Sequence, residues 1–315
     1  MKRFLVATLI IAGLSAPLLP VSATAQGFGI AGPNDRRPTD IEADSGIEWR
    51  QNEQVYIARG NAKATRGTSS VYADTLIAHY RTVPSAAKKA GEGGGTEGGG
   101  SGEIYRVEAT GNVRLATETQ TVYGDNAIYD LDRATAVVTG RNLRLLSPRV
   151  TVTARDSLEW YDDKQVAVAR GDAVATRVDG RRLAADVLTA QVVKPPDAAS
   201  RISRIDAQGH VLVSTANEIA RGSSGVYNVD TGIATLMGDV TITRGESVSR
   251  SKYAVVDLNN NVSRLLNTLP GGGPSGGPVE ALIVPKSADD KGEGKSDSSQ
   301  KPTGGKRPTG SVPAQ

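Results

Sequence analysis

Beyond residue 40 the chain alternates apolar and polar side chains in runs that are keyed on a glycine. ATGNVRLAT (109–117), AQGHVLVST (207–215) and LMGDVTITR (236–244) repeat one phrase, Gly-x-apolar-x-apolar. A side-chain period of two marks a half-buried strand, and helical i, i+3, i+4 spacing is missing outside the N-terminal leader. The apolar residues stand two and four after the glycine: Val113 and Leu115, Val211 and Val213, Val240 and Ile242, with weaker versions at Ala62/Ala64 and Ala173/Ala175. In the copy at Gly140 the pair is Leu143 and Leu145, one residue late, which predicts a bulge.

Six copies share this register, keyed on Gly60, Gly111, Gly140, Gly171, Gly209 and Gly238. Their spacings are 51, 29, 31, 38 and 29 residues. The two long ones hold visible insertions, a Gly/Ser/Glu linker over 85–103 and a Pro-marked loop over 194–201. Without them the period is about 30 residues, which is the range of array architectures. Trp49, Tyr129, Trp160 and Tyr227 stand eleven before their glycines, and an Asp recurs ahead of the aromatic or in the matching place, at Asp44, Asp74, Asp125, Asp156 and Asp186. The pattern predicts two to three short strands per unit, stacked on the next unit. Each glycine is expected to mark a bend or a close backbone approach at a strand start, and the recurring aspartates a repeated turn or surface role.

The leader changes the picture at the N-terminus. Lys2 and Arg3, the apolar run Phe4 to Leu19, and Ala23-Thr24-Ala25 form a signal peptide over 1–25, with cleavage expected before Gln26. Export to the periplasm is the expected localisation. A linker over 26–40, a β domain over 41–285 and a polar tail over 286–315, expected to be disordered, complete the organisation. There are no cysteines, so stability rests on burial alone. Lys and Arg total 37 against 34 Asp and Glu. Without Lys2 and Arg3 the balance is +1, and no basic run exceeds two residues, so a nucleic-acid partner is not expected.

Catalytic parts are missing. The histidines are His79 and His210, in different units, with no metal-ligand spacing, so no metal or other cofactor is expected. GEGGGTEGGGSG lacks the Lys-Ser/Thr ending of a phosphate loop, and RGSSG (221–225) is not a nucleophile elbow. No enzyme activity is expected. Phe, Trp and Met number 2 each, so a core of Val, Leu, Ile and Ala leaves two packings open: a groove between two sheets, or a tightly closed interior.

The phrases A-x-G-N-V-x-L, Y-G-D-x-A-x-Y and apolar-x-x-G, best seen in Val107 to Gly140, resemble the OstA-like repeats of the LptA family of periplasmic lipopolysaccharide-transport proteins. The resemblance covers roughly 40 to 265, and EALIVPK (280–286) resembles the short last strand of such proteins. It implies an all-β, folded-over β-jellyroll of two facing antiparallel sheets around an apolar groove for lipid A acyl chains. Candidate lining residues are Val113, Leu115, Ile128, Leu143, Leu145, Val211, Val213, Leu236, Val240 and Ile242. The implied partners are lipopolysaccharide, LptC-like inner-membrane and LptD-like outer-membrane proteins, and further copies of the chain joined end to end. Ile41, Ile47, Leu282 and Val284 are the candidate edge contacts. Arg114, Arg144 and Arg181 are candidates for a rim near lipid phosphates, or for plain solvation of the outer face.

Overall fold

The computed structural model describes residues 39–82, 102–195, 200–257, 259–260, 262–268 and 278–282. The leader, the residues 26–38, most of the 85–103 insertion, the tail and Val284 lie outside the described residues. Within them the chain forms eighteen strands and no helix. In order these are β1 (Asp40–Glu42), β2 (Ile47–Arg50), β3 (Val55–Arg66), β4 (Ser69–Thr82), β5 (Gly102–Ala116), β6 (Thr121–Asp130), β7 (Thr135–Thr139), β8 (Leu143–Leu146) and β9 (Val150–Ala154). They continue with β10 (Ser157–Tyr161), β11 (Val166–Arg177), β12 (Arg182–Val193), β13 (Arg201–Ser214), β14 (Ile219–Asn228), β15 (Ile233–Arg244), β16 (Ser247–Asp257), β17 (Val262–Leu266) and β18 (Glu280–Leu282).

With β1/β2, β7/β8, β9/β10 and β17/β18 each counted as one split strand, successive strands pair antiparallel, so the sheet is one long meander. Most strands run 10 to 15 residues and change register at their middle. The shift falls on the repeated glycines: between Arg59 and Ala62, Thr110 and Val113, Arg170 and Ala173, Gln208 and Val211, and Met237 and Val240. Each is a bulge that adds one residue to one strand and bends the pair. The glycines therefore lie mid-strand, not at strand starts, and the two to three short strands expected per unit are fewer, longer, folded ones. At Gly140 the strand breaks outright into β7 and β8, and the next is split into β9 and β10.

Folding every strand at one line of corners lays the first halves over the second halves. β2 pairs with the front of β3 and β1 with its rear, while β17 and β18 divide β16 in the same way. Leu76, Ala109, Val138, Leu158, Leu188 and Ala207 of one layer pack with Val71, Val113, Leu143, Val211 and Val240 of the other in a single buried cluster. That is the folded-over jellyroll, with β2 and β17 at its two ends.

Candidate functional site

The interior between the layers begins with the corners. At Gly111 and Gly209 the backbone takes φ +80 and +75, which a side chain rarely adopts. A Cβ there would also strike the carboxylate of Asp74 or Asp186 on the neighbouring strand. The recurrent glycine and the recurrent aspartate are thus two sides of one contact. The residue after the glycine completes it: Asn61 Nδ2 donates to Asp44 at 2.8 Å, and Asn112 Nδ2 to Asp74 at 3.0 Å. His210 stands in the same place, with Nδ1 2.9 Å from Asp186. It is a corner residue, and the turn or surface role expected of the aspartates is their observed place. The last corner uses Ser223 in place of Asp, donating to the Gly238 carbonyl.

Between corners the inward positions are apolar. Val113, Leu143, Val211 and Val240 are 1% exposed and Leu115 and Leu236 are buried. Leu145, Val213 and Ile242 are half-buried and pack on the same cluster. Nine of the ten candidate lining residues are brought together. Ile128 is not: it is 39% exposed on the outer face. Counting in twos from Val122 puts Ile128 inside, but the corner at Asp125 shifts the parity by one residue. Ala127 and Tyr129 take the inward places.

The layers close on one another over much of their length and part near the N-terminal edge. A cavity of about 60 Å³ lies there, lined by Ile41, Ile47, Tyr56, Ala58, Ala64, Val71, Leu76, Ala78, Ile104, Val107, Tyr129 and Leu131, with Thr39 and Arg66 beside them. Its wall is braced by aromatic contacts. Trp49 stacks on Tyr56 at 5.9 Å between ring centroids, Tyr56 lies 5.0 Å from Tyr80, and Trp49 Nε1 donates to Tyr80 Oη at 2.8 Å. Burial pushes the Tyr56 hydroxyl pKa up, so that hydroxyl stays protonated at physiological pH.

The arginines stand elsewhere. Arg114 lies over the Tyr72 ring at 3.8 Å and Arg144 over Tyr123 at 4.4 Å, both in strand positions alternate to the inward residues. Arg181 precedes β12, near Asp179. Sequence reading missed one polar group in an unusual place. Glu159, on the outer face of β10, is 8% exposed. Burial pushes its carboxyl up, but hydrogen bonds from Arg170 (2.8 Å), Ser157 (2.7 Å) and Tyr161 (2.8 Å) outweigh it and hold the pKa below the usual range. Its signal was available in EW, which occurs at 48–49 and again at 159–160.

Three of the four candidate edge residues, Ile41, Ile47 and Leu282, lie on terminal strands, and Val284 is outside the described residues. Ile47 is 53% exposed and Leu282 64%, while Ile41 is half-buried. Among the described residues, β1 and β2 pair only with β3, and β17 and β18 only with β16.

With this geometry in place the comparisons are decisive. The family described as LptA/(LptD N-terminal domain) LPS transport protein matches the chain twice, over residues 40–156 and 151–262. The chain belongs to this family. An uncharacterized protein of Rhizobium meliloti (strain 1021) is 31% identical over 144 residues, which is 44% of this chain and 71% of that one. Among solved structures, LptH of Pseudomonas aeruginosa, described as the LptA homologous periplasmic component of the lipopolysaccharide transport device, is similar. It is 20% identical, with a TM-score of 0.37, over 43% of this chain and 95% of its own.

Proposed function

We propose that this member of the family is a non-enzymatic periplasmic carrier that holds lipopolysaccharide by its lipid A acyl chains between the two layers. Its terminal strands extend the sheets of an LptC-like protein on the inner-membrane side and an LptD-like protein on the outer-membrane side, and of further copies of itself. The observation that carries the reading is the apolar cavity at the N-terminal edge, whose wall includes Ala58, Val71 and Leu76 of the buried aliphatic cluster. Burying a methylene is worth about 0.8 kcal/mol, so a twelve-carbon chain gains on the order of 9 kcal/mol gross. No directional bond holds such a chain, so it slides. Edge strands present unpaired backbone groups, which suits strand addition.

A second reading, a filled β scaffold without lipid, is favoured by the near-complete burial of Val113, Leu143, Val211 and Val240. Native mass spectrometry of the mature protein separates the two. A mass shift with purified lipopolysaccharide, and none with polysaccharide lacking lipid A, is the result expected of a carrier. Ala64 is half-buried in the cavity wall, so Ala64→Phe should fill the space and reduce uptake while the fold survives. A folded wild-type sample that takes up no lipopolysaccharide establishes the scaffold.

A further inference from the structure

The stretch around the first corner is written again around the fourth. VYIARGNAKATR (55–66) and VAVARGDAVATR (166–177) share eight of twelve residues, and IEW (47–49) returns as LEW (158–160). The pairings return with it. Ile41↔Ala64, Ile47↔Ala58, Glu48↔Ile57 and Trp49↔Tyr56 become Val152↔Ala175, Leu158↔Ala169, Glu159↔Val168 and Trp160↔Ala167, all moved by 111 residues. The split strand β1/β2 is therefore the same structural piece as β9/β10. The family matches overlap at 151–156, within that second piece.

The two copies differ in what lies beside them. β9/β10 has a neighbour on each side: β11 on one and the split strand β7/β8 on the other. There Trp160 faces Ala136, Leu158 faces Val138 and Glu159 faces Val137. Trp160 is 2% exposed and Leu158 4%, whereas Trp49 is 37% exposed and Ile47 53%. The N-terminal edge is the internal junction without its second neighbour.

The C-terminal edge has the form of that neighbour. β17/β18 is split between the layers, as β7/β8 is. Strand directions alternate along the meander, so a second copy placed end on brings β17 antiparallel to β2, as β7 is to β10. In β17 the inward pair is Ser263 and Leu265, opposite Val256 and Ala254. Small then large is the order of Ala136 and Val138. Arg264 falls between them on the outer face, where it would meet Glu48. That carboxylate is held at a pKa of about 2 by hydrogen bonds from Arg50 and Arg59, so it is charged when a cation approaches.

We infer that the chain is an internal duplication whose two units share the split strand β9/β10, and that its N-terminal edge is a vacant copy of this junction, filled by the C-terminal edge of a second copy with Trp49 opposite Ser263 and Glu48 opposite Arg264. This rests on the end-joining part of the proposed function and fixes its register. Bare strand addition would accept any slip by two; the Trp49 pocket does not, because only a small opposing residue leaves room for the indole.

The natural chain has no cysteine, so engineered pairs report cleanly. The mature protein carrying Glu48→Cys and Arg264→Cys together is expected to give a ladder of covalent oligomers on mild oxidation, whereas either change alone stops at dimers. Directly opposed strand positions lie within disulfide reach. Adding Trp49→Ala should lower the ladder's yield about tenfold, as loss of a buried aromatic anchor does. A stronger ladder from Glu48→Cys with Leu266→Cys, slipped by two, overturns the register. So does a protein that stays monomeric, without cross-links, at concentrations where its native mass is read. Lipopolysaccharide uptake by the monomer is measured on the same samples. Uptake without cross-links sinks the junction alone, and cross-links without uptake sink the carrier alone.

Discussion

The first unit and the second place their corner glycines in the same order but fill the space between them differently. Nine of the eleven tyrosines and tryptophans occur by Tyr161, and only Tyr227 and Tyr253 follow. In the first unit, Tyr56 and Tyr129 line the cavity at one end. In the second, Leu188, Ala207, Val211, Ala220, Leu236 and Val240 meet directly. The backbone frame depends on a positive-φ glycine met by a small polar residue, Asp or Ser, at fixed places, so its corners recur in register. The space inside depends on side-chain volume alone, so it diverges freely. One buried cluster therefore runs through both units, with the cavity and its aromatic wall at the first unit's end.

Equivalent positions in the two copies offer ways to break this comparison. The largest difference should come from the tryptophans. Trp160→Ala empties a fully enclosed site and should cost about 3–5 kcal/mol, while Trp49→Ala at the edge should cost about 1 kcal/mol. Urea unfolding of the two variants gives the contrast, and equal losses would remove the distinction between junction and edge. The corners should show the opposite behaviour. Gly111→Ala and Gly209→Ala each force a side chain into a positive φ against an aspartate, at about 1–3 kcal/mol, and the two losses should match. A marked inequality in melting temperature would show that the corners are not interchangeable.

A subtler contrast lies in acid. Glu159 and Glu48 are equivalent residues, and both titrate below the ordinary glutamate value of about 4.3. A depressed carboxylate contributes stability that is complete above the ordinary value and is lost as pH falls through the native one. For enclosed Glu159 that loss should be visible below about pH 4, and Glu159→Gln should weaken the protein at neutral pH and flatten its acid limb. Exposed Glu48 is screened by water, so Glu48→Gln should leave the acid limb of the melting curve where it was. The smallest effect belongs to the outer face. Arg114→Ala should cost about 0.5–1 kcal/mol through its lost contact with Tyr72, and the corresponding Leu212 offers no ring contact to lose. A Tyr72→Leu background in which Arg114→Ala costs nothing would confirm the pairing by a double-mutant cycle.

Much of this was legible from the residues. The register of six glycines and the accompanying aspartates located every corner, and the family resemblance named the folded-over fold. The strand lengths were not legible, because a glycine between two alternating runs can begin a strand or bend one, and only the partner strand decides. Ile128 illustrates the cost: the bulge sits on β5, yet it resets the parity of β6, so alternation counted along β6 alone points the wrong way. Trp49 and Trp160 looked alike for a similar reason. Their local sequences are nearly the same, and their burial depends on a neighbour more than twenty residues away or on another chain.

The line of corners has one more consequence, for how such a molecule can be resized. Strands stacked about 4.8 Å apart make the path from β2 to β10 roughly 30 Å, and from β2 to β17 roughly 60 Å. Because the piece that opens the chain is the piece at its centre, another 111 residues could be spliced in there while both ends kept their faces. Reach then comes in fixed steps, as with a ruler extended by whole segments, and a gap of a given width can be matched by counting copies within one gene.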